Sequence, residues 1–472
     1  MIPKPLLFLA LPWLAALGAY AMRQNGWRRA ETPLAVAMAG VLAALSAGLP
    51  EAAPPWLQES FGVLGRQFVM SPTDRQILPQ LYVLAALIFA GAGLQTQGRY
   101  FLAAGLGILG LLAAALFVRP FLYAAIFVQL AAALAVFMLT DEAHPATSGA
   151  LRFLAYTTLG MPFVLFTGWL VESGSANPAD ASFLNQAALF LAAGFAIWLG
   201  VVPFLSWLAG VADLAPPLAT AFVGSVMRGP MVLLLLNLLD AYPWLADHPL
   251  ASSGLLLGGA GMVALGALFV FGQRNLGRSV GYLLVIEFGA ALLALGLGTR
   301  AGVEAALAAI IMRGLGLWLW AIGLDRLRRA ARERDPHLPD EDSFEVLRGL
   351  GWRYPFAVTA LAIGMLSTIG LPLMAGFPPR WALLRMLAEQ TPALAALLLG
   401  AMTSVGVVVM RGLAALTTPR SPDEVIEPRE TRPAMVALAS PGPMLRATSA
   451  TVSGASKLRT EPSGSVIWIM EG

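Results

Sequence analysis

The sequence predicts an all-α polytopic membrane protein, and three observations carry that prediction. Of its 472 residues, 58% are hydrophobic and only 12% are charged, whereas soluble domains run near a quarter charged. The mean hydropathy is +0.73. Apolar runs of about 20 residues, the length a hydrocarbon core about 30 Å thick demands of a helix, recur along most of the chain.

That ruler places candidate spans at 4–22, 33–50, 78–97, 99–118, 120–140, 150–172 and 184–209, then at 214–239, 252–272, 277–298, 301–324, 353–389 and 391–416, thirteen in all. The first is too long and uninterrupted for a cleaved signal peptide, and Pro12 falls inside it. Residues 325–352 shift abruptly to clustered charges of both signs and read as a solvated internal loop. Beyond Leu416 the composition turns to Pro, Ser, Thr, Arg and Glu, so 417–472 is expected to be a polar, disordered tail.

Composition also excludes whole classes of chemistry. Without cysteine there is no disulfide framework, thiolate metal site or cysteine nucleophile. The three histidines, His144, His248 and His337, sit in polar loops. No Gly-rich phosphate loop, metal-ligand cluster or flavin fingerprint appears, so neither cofactor nor metal is expected. A formal charge of +3 with no basic stripe clear of hydrophobic flanks argues against nucleic acid; the lipid bilayer is the expected surrounding. Both lysines, Lys4 and Lys457, lie at the chain ends, so a membrane-embedded proton carrier is not expected to be a lysine.

Orientation follows from the asymmetry of Lys and Arg between alternate loops. One side holds Arg23, Arg28, Arg29, Arg99, Arg152, Arg274, Arg278 and the seven arginines of 325–353; the other holds Lys4, Arg66, Arg75, Arg119 and Arg300. Fourteen against five puts the N-terminus outside and the tail inside.

Two long apolar segments contain helix breakers. The first has Pro203 in mid-span, with Pro216 and Pro217 opening the next helix; the second has Gly370, Pro372, Gly376, Pro378 and Pro379. Proline removes a backbone donor and clashes with the preceding turn, and broken backbone at membrane depth survives only where protein or a water-filled cavity satisfies it. Pro203 and Pro372 lie 169 residues apart, about five helices. Paired broken helices of this kind mark an inverted-repeat transporter.

Polar residues at membrane depth face the bundle interior. Gln129, Arg228, Glu287 and Arg313 fall within spans, Arg380 just past the second break, and Arg411 near the inner end of the last span, where snorkelling accounts for it. Insertion scales charge about 2.5–3.5 kcal/mol for a mid-span arginine, so Arg228 and Arg313 need compensation. Glu287 is the carboxylate at comparable depth, and a pairing with Arg228 or Arg313 is expected.

Three stretches resemble one family. VVPFLSWLAGVADLAPPLATAFVGSVMRG (201–229) is similar to a signature of the antiporter-like membrane subunits of proton-pumping NADH:quinone oxidoreductase (complex I), with an Ala215–Pro216 to Arg228 spacing most like subunit N. QRNLGRSVGYLLVIEFG (273–289) resembles the opening of that family's second repeat, with Arg278, Gly281, Tyr282 and Gly289 in register. IGLPLMAGFPPRW (369–381) resembles its second broken helix at Gly370, Pro372, Gly376 and Phe377. The resemblance extends over roughly 120–416 and reaches to multisubunit cation/proton antiporters and membrane hydrogenases. It implies two inverted five-helix repeats: N-terminal helices in 1–118, a first repeat in 119–250 broken near Pro203, and a second in 251–416 broken near Pro372.

The resemblance also implies a proton path, and here the residues depart from it. The family's glutamate falls on Gln129, its lysines on Trp198, Arg228 and Arg380, and its histidines on Leu205 and Glu287. Lysine can shed a proton when buried, whereas arginine effectively never does. Positive charge survives at two lysine positions and titratability at none, so Glu287 alone among the deep residues can cycle a proton. The expected function is a complex I-type membrane subunit, associated with proton translocation, whose own path is degenerate. The expected partners are other membrane subunits of a complex I-like assembly, and any redox chemistry is expected in partner subunits. The alternatives are a non-pumping structural spacer, a subunit of a related hydrogenase or antiporter complex, and an independent transporter.

Overall fold

The computed structural model describes residues 2–48, 57–58, 60–63, 65–93, 97–140, 148–176, 182–246, 248–335 and 340–419. All lie in one compact unit, Met1–Thr431. The tail from 420 onward, with His144 and His337, lies outside the described residues.

The chain begins with α1 (Lys4–Gln24), which runs on through Pro12, and α2 (Arg28–Gly48). Helix α3 (Pro72–Ala92) starts from a capping box, Ser71 and Asp74 bonding each other's backbone N–H, and α4 (Phe101–Phe117) is buried along nearly its whole length. Then come α5 (Ala124–Leu139), α6 (Ser148–Ala176) and α7 (Ser182–Leu199). After the first break lie α8 (Ser206–Leu214), α9 (Pro217–Phe222), a π-turn (Val223–Met227), α10 (Arg228–Ala241) and short α11 (Pro243–Ala246). The second half holds α12 (Pro249–Phe271), α13 (Leu276–Gly296), α14 (Arg300–Arg334), short α15 (Leu350–Arg353) and α16 (Pro355–Ile369). It ends with α17 (Phe377–Gln390) and α18 (Pro392–Thr417).

Eleven helical segments among the described residues are long and apolar enough to cross a membrane, and α4 and α16 are shorter apolar helices at two further expected positions. The protein is an integral membrane protein. Short strands supplement the expected helices: Ile2–Pro3 pairs with Leu57–Gln58, and Ser60–Val63, Arg66–Val69 and Val118–Arg119 form a small antiparallel sheet.

Burial separates centre from rim. The apolar windows of the α9–α10 segment and of α13 are 94% buried, against 33% for α1, α2 and α18 and 28% for α6 and α12. A helix that is apolar all round belongs in the middle of such a bundle, and α13, which carries Glu287, sits there.

The two breaks share one backbone device. At the end of α7, Gly200 takes a left-handed conformation (φ 71°), and at the end of α16 Gly370 does the same (φ 80°). In each, the glycine N–H bonds back three residues, Gly200 to Ile197 and Gly370 to Ser367. The next N–H bonds back five, Val201 to Ala196 and Leu371 to Leu366. This is the Schellman closure of a helix C-terminus, repeated 170 residues apart. The turn that follows is also repeated, with Phe204 N–H on Val201 O and Met374 N–H on Leu371 O. Leu373 adds a non-glycine left-handed residue (φ 72°) at the second break.

The charged stretch after residue 324 departs from the solvated loop expected there. Helix α14 continues to Arg334, and Asp325, Arg328, Asp342, Leu347 and Leu350 are buried. Their charges meet partners inside the protein, which a run of mixed charge does not reveal in a sequence.

Candidate functional site

The deep polar residues fall into two groups, one at each break. At the first, the end of α7 leaves its last carbonyls without intrahelical partners. The Arg228 guanidinium donates to one of them, the Trp198 carbonyl oxygen. It also lies 4.1 Å from the centre of the Trp207 ring, in the first turn of α8. Arg228 opens α10 directly after the π-turn and is buried to 1% exposure. It therefore bridges the two halves of the broken helix, as a cation placed at the negative end of a helix dipole.

Trp198 is buried, and its indole N–H donates to the Thr157 carbonyl on α6 at 3.1 Å. Gln129 is half-buried on α5 and donates to the Thr158 hydroxyl at 2.7 Å. Both side chains are thus tied to neighbouring residues of α6. None of Gln129, Trp198 and Arg228 can gain or lose a proton under ordinary conditions.

At the second break Glu287 forms an ion pair with Arg380, in the first turn of α17. The expected pairing with Arg228 or Arg313 is corrected. The backbone that breaks α16 and restarts as α17 carries Arg380 back into the bundle, and both charges are buried to 5% exposure or less. Loop order could not disclose that return.

Arg313, on α14, is 2% exposed, and its three guanidinium nitrogens have no hydrogen-bond partner among the described residues. The guanidinium stands 4.2 Å from the centre of the Phe288 ring, and Arg228 stands 5.5 Å from the same ring. A desolvated cation–ring contact is worth about 2 kcal/mol, while a buried hydrogen-bonding group left unpaired costs about 1–3 kcal/mol. The ring alone does not balance Arg313. Helix α14 comes close to α16 at a glycine pair, where a Cβ on Gly316 would stand 2.8 Å from the Gly364 carbonyl oxygen. That approach brings Arg313, Ser367 and Thr368 to one cavity with Glu287 and Arg380.

Arg328 was missed in the sequence. It forms a bidentate pair with Asp342, Nε to Oδ1 at 2.7 Å, and donates to the carbonyls of Ala215 at 2.8 Å and Asp213 at 3.0 Å. It thereby caps the C-terminal end of α8, as Arg228 caps α7. Burial raises the Asp342 carboxyl above its ordinary range, and the Arg328 guanidinium opposes the shift. Asn275 and Arg278, opening α13, both bond Asp213, at 3.1 and 2.8 Å. The signal was there in the Arg278 motif and in a helical run through 325–334, but it was read as a water-facing charge cluster. Arg411, by contrast, is exposed on α18 and bonds the Phe271 carbonyl at 2.9 Å.

Residues 179–405 match the transmembrane family described as NADH:quinone oxidoreductase/Mrp antiporter.

Over those residues, just under half of the chain, the sequence is similar to this antiporter-like membrane family.

One relative, the NADH-quinone oxidoreductase subunit N of Methylobacterium nodulans, is 28% identical over 248 residues, covering 49% of this chain and 49% of the relative. The chain thus matches about half the length of that relative. Over the whole fold, a chain of the archaeal membrane-bound sulfane sulfur reductase superposes with a TM-score of 0.75 at 17% identity, covering 95% of this chain and 94% of that one. A chain of respiratory complex I from Thermus thermophilus superposes with a TM-score of 0.68 at 19% identity, covering 92% and 93%. At these identities the superpositions establish a shared fold and nothing beyond it.

Proposed function

We propose that the protein is a membrane subunit of a complex I-type NADH:quinone oxidoreductase, associated with proton translocation, whose own centre does not conduct protons. The relatives' name supports the assembly. One observation carries the second half. The first break is held by Arg228, a permanent cation locked between a helix end and an indole, where a conducting path requires a group that can release a proton. Gln129 and Trp198 beside it are likewise non-titrating and engaged with α6. Glu287 is ion-paired to Arg380, and Gln129, Trp198 and Arg228, the residues described at the first break, offer it no titratable relay.

The reading includes a bacterial plasma-membrane location, an N-terminus outside and a cytoplasmic tail. It also includes the division into N-terminal helices (1–118), first repeat (119–250), second repeat (251–416) and tail (417–472). Its partners are the other membrane subunits of that assembly, and any redox chemistry belongs to partner subunits rather than to this chain.

Gentle detergent extraction of the tagged chain from its native membrane, with mass spectrometry of what accompanies it, tests the assembly. Quinone-reductase subunits are expected. Hydrogenase or antiporter subunits would move the chain to those branches, and a solitary chain would overturn the subunit reading. For conduction, Glu287→Gln in the intact assembly is expected to leave the number of protons moved per electron unchanged. A drop in that ratio with assembly preserved would show that this centre pumps.

A further inference from the structure

From the second break we infer a binding site: the cavity between Arg313 and Arg380 takes one monovalent anion of halide size. The cavity offers about 20 Å³ to the centre of a water-sized sphere and is lined by Glu287, Arg313, Ser367, Thr368, Gly376 and Arg380. A single water needs roughly 10–15 Å³ on that measure. A halide ion fits such a space, and the single net positive charge of its lining matches a monovalent anion rather than a divalent one such as sulfate.

Charge and hydrogen bonding select the occupant. Arg313 and Arg380 are permanent cations, and Glu287 is the one carboxylate lining the cavity, so the three sum to one positive charge away from water. Arg313 turns its Nε and both Nη atoms to no acceptor among the described residues while almost wholly buried. Helix α17 starts at Phe377, beside Gly376, so the positive end of its dipole adds to the field at the cavity. A water molecule would accept one or two of the free N–H groups and leave the charge uncompensated. An acceptor-only anion answers both needs.

Glu287 gives the site a second property. Its carboxylate shares the cavity, so an ionised Glu287 weakens anion binding and a protonated Glu287 strengthens it. Proton and anion then favour each other's binding by reciprocal linkage. The site depends only on this chain's residues and stands independently of which assembly the chain joins.

The test uses the full chain, purified in detergent in gluconate buffer without halide. Sodium bromide is titrated against sodium gluconate at constant ionic strength while thermal unfolding is followed. A saturable rise in Tm with bromide, absent with sulfate, is expected. In Glu287→Gln the bromide midpoint should fall on the order of tenfold, because a neighbouring negative charge has been removed. Arg313→Lys, which keeps the cation, should retain the response, and Arg313→Gln should lose it. Should Arg313→Gln fail to fold, the direction of the Glu287→Gln shift decides. No bromide response, an equal response to sulfate, or a midpoint unmoved by Glu287→Gln would each overturn the site and leave the cavity to water.

Discussion

At the scale of single residues, the protein keeps positive charge where its family resemblance implies lysine and gives up the ability to release a proton there. Arg228 and Arg380 show what the retained charge does. Arg228 donates to the carbonyl at the end of α7 and stacks on α8; Arg380 neutralises Glu287. Breaking a buried pair by removing one partner typically costs about 3–5 kcal/mol, whereas removing both can be nearly neutral. Arg380→Gln is therefore expected to destabilise the chain by roughly that amount. The double variant Glu287→Gln/Arg380→Met should recover most of it, as read by thermal unfolding in detergent. A double variant as unstable as the single one would mean that Arg380 acts through something other than Glu287. The residue types of this pair are plain in the sequence. Their pairing is not, because 93 residues separate them and only the reversal at the second break brings them together.

At the scale of the element, each broken helix is closed by a left-handed glycine, and only one of the two is singled out by the sequence. Pro203, Pro372 and Gly376 drew attention in the sequence as breakers, and Pro216 as the start of the helix that follows. Gly370 was named with them, but Gly200 was one glycine among 48. A left-handed residue bearing a Cβ costs roughly 1–2 kcal/mol, so alanine at either position should lower Tm. The two sites differ in surroundings. A Cβ at Gly370 would stand 2.7 Å from the Cβ of Arg380, while one at Gly200 would meet nothing nearer than 3.2 Å, the Trp207 indole nitrogen. Gly370→Ala is therefore expected to destabilise more than Gly200→Ala and to disturb the Glu287–Arg380 pair as well. Equal losses in detergent unfolding would show that backbone strain alone sets the effect.

At the scale of the whole molecule, the polar cluster around Arg328 joins the two halves of the bundle. It links the end of α8 to the start of α13, to α14 and to the segment at 340–347. Arg328→Met would leave Asp342 buried without its cation and the α8 carbonyls uncapped, a loss of roughly 3–5 kcal/mol. Asp342→Asn keeps a hydrogen-bond acceptor for Arg328 and leaves the carbonyl contacts, so it should cost less. Hydrogen exchange is expected to rise first at the end of α8 in Arg328→Met. Protection there equal to the wild type would mean that α8 is held by packing alone. This cluster was read as a water-facing charge run because mixed charges at a helix end look the same whether they meet solvent or each other.

By itself, the sequence determined the membrane, the helical class, the places of the spans, the two interrupted helices and the family motifs. All of these follow from hydrophobic run length, breaker residues and local spacing, which depend on neighbours along the chain. It also determined that arginine, glutamine and tryptophan stand where the family resemblance implies the titratable groups of a proton relay. Only the tertiary structure decided that Glu287 meets Arg380, that Arg313 lines the same cavity with no hydrogen-bond partner among the described residues, and that Arg228 and Arg328 cap the halves of a broken helix. Those facts depend on which helices touch and on the direction in which the backbone re-enters after each break. A buried charge announces that it needs a partner, but the partner is chosen by packing.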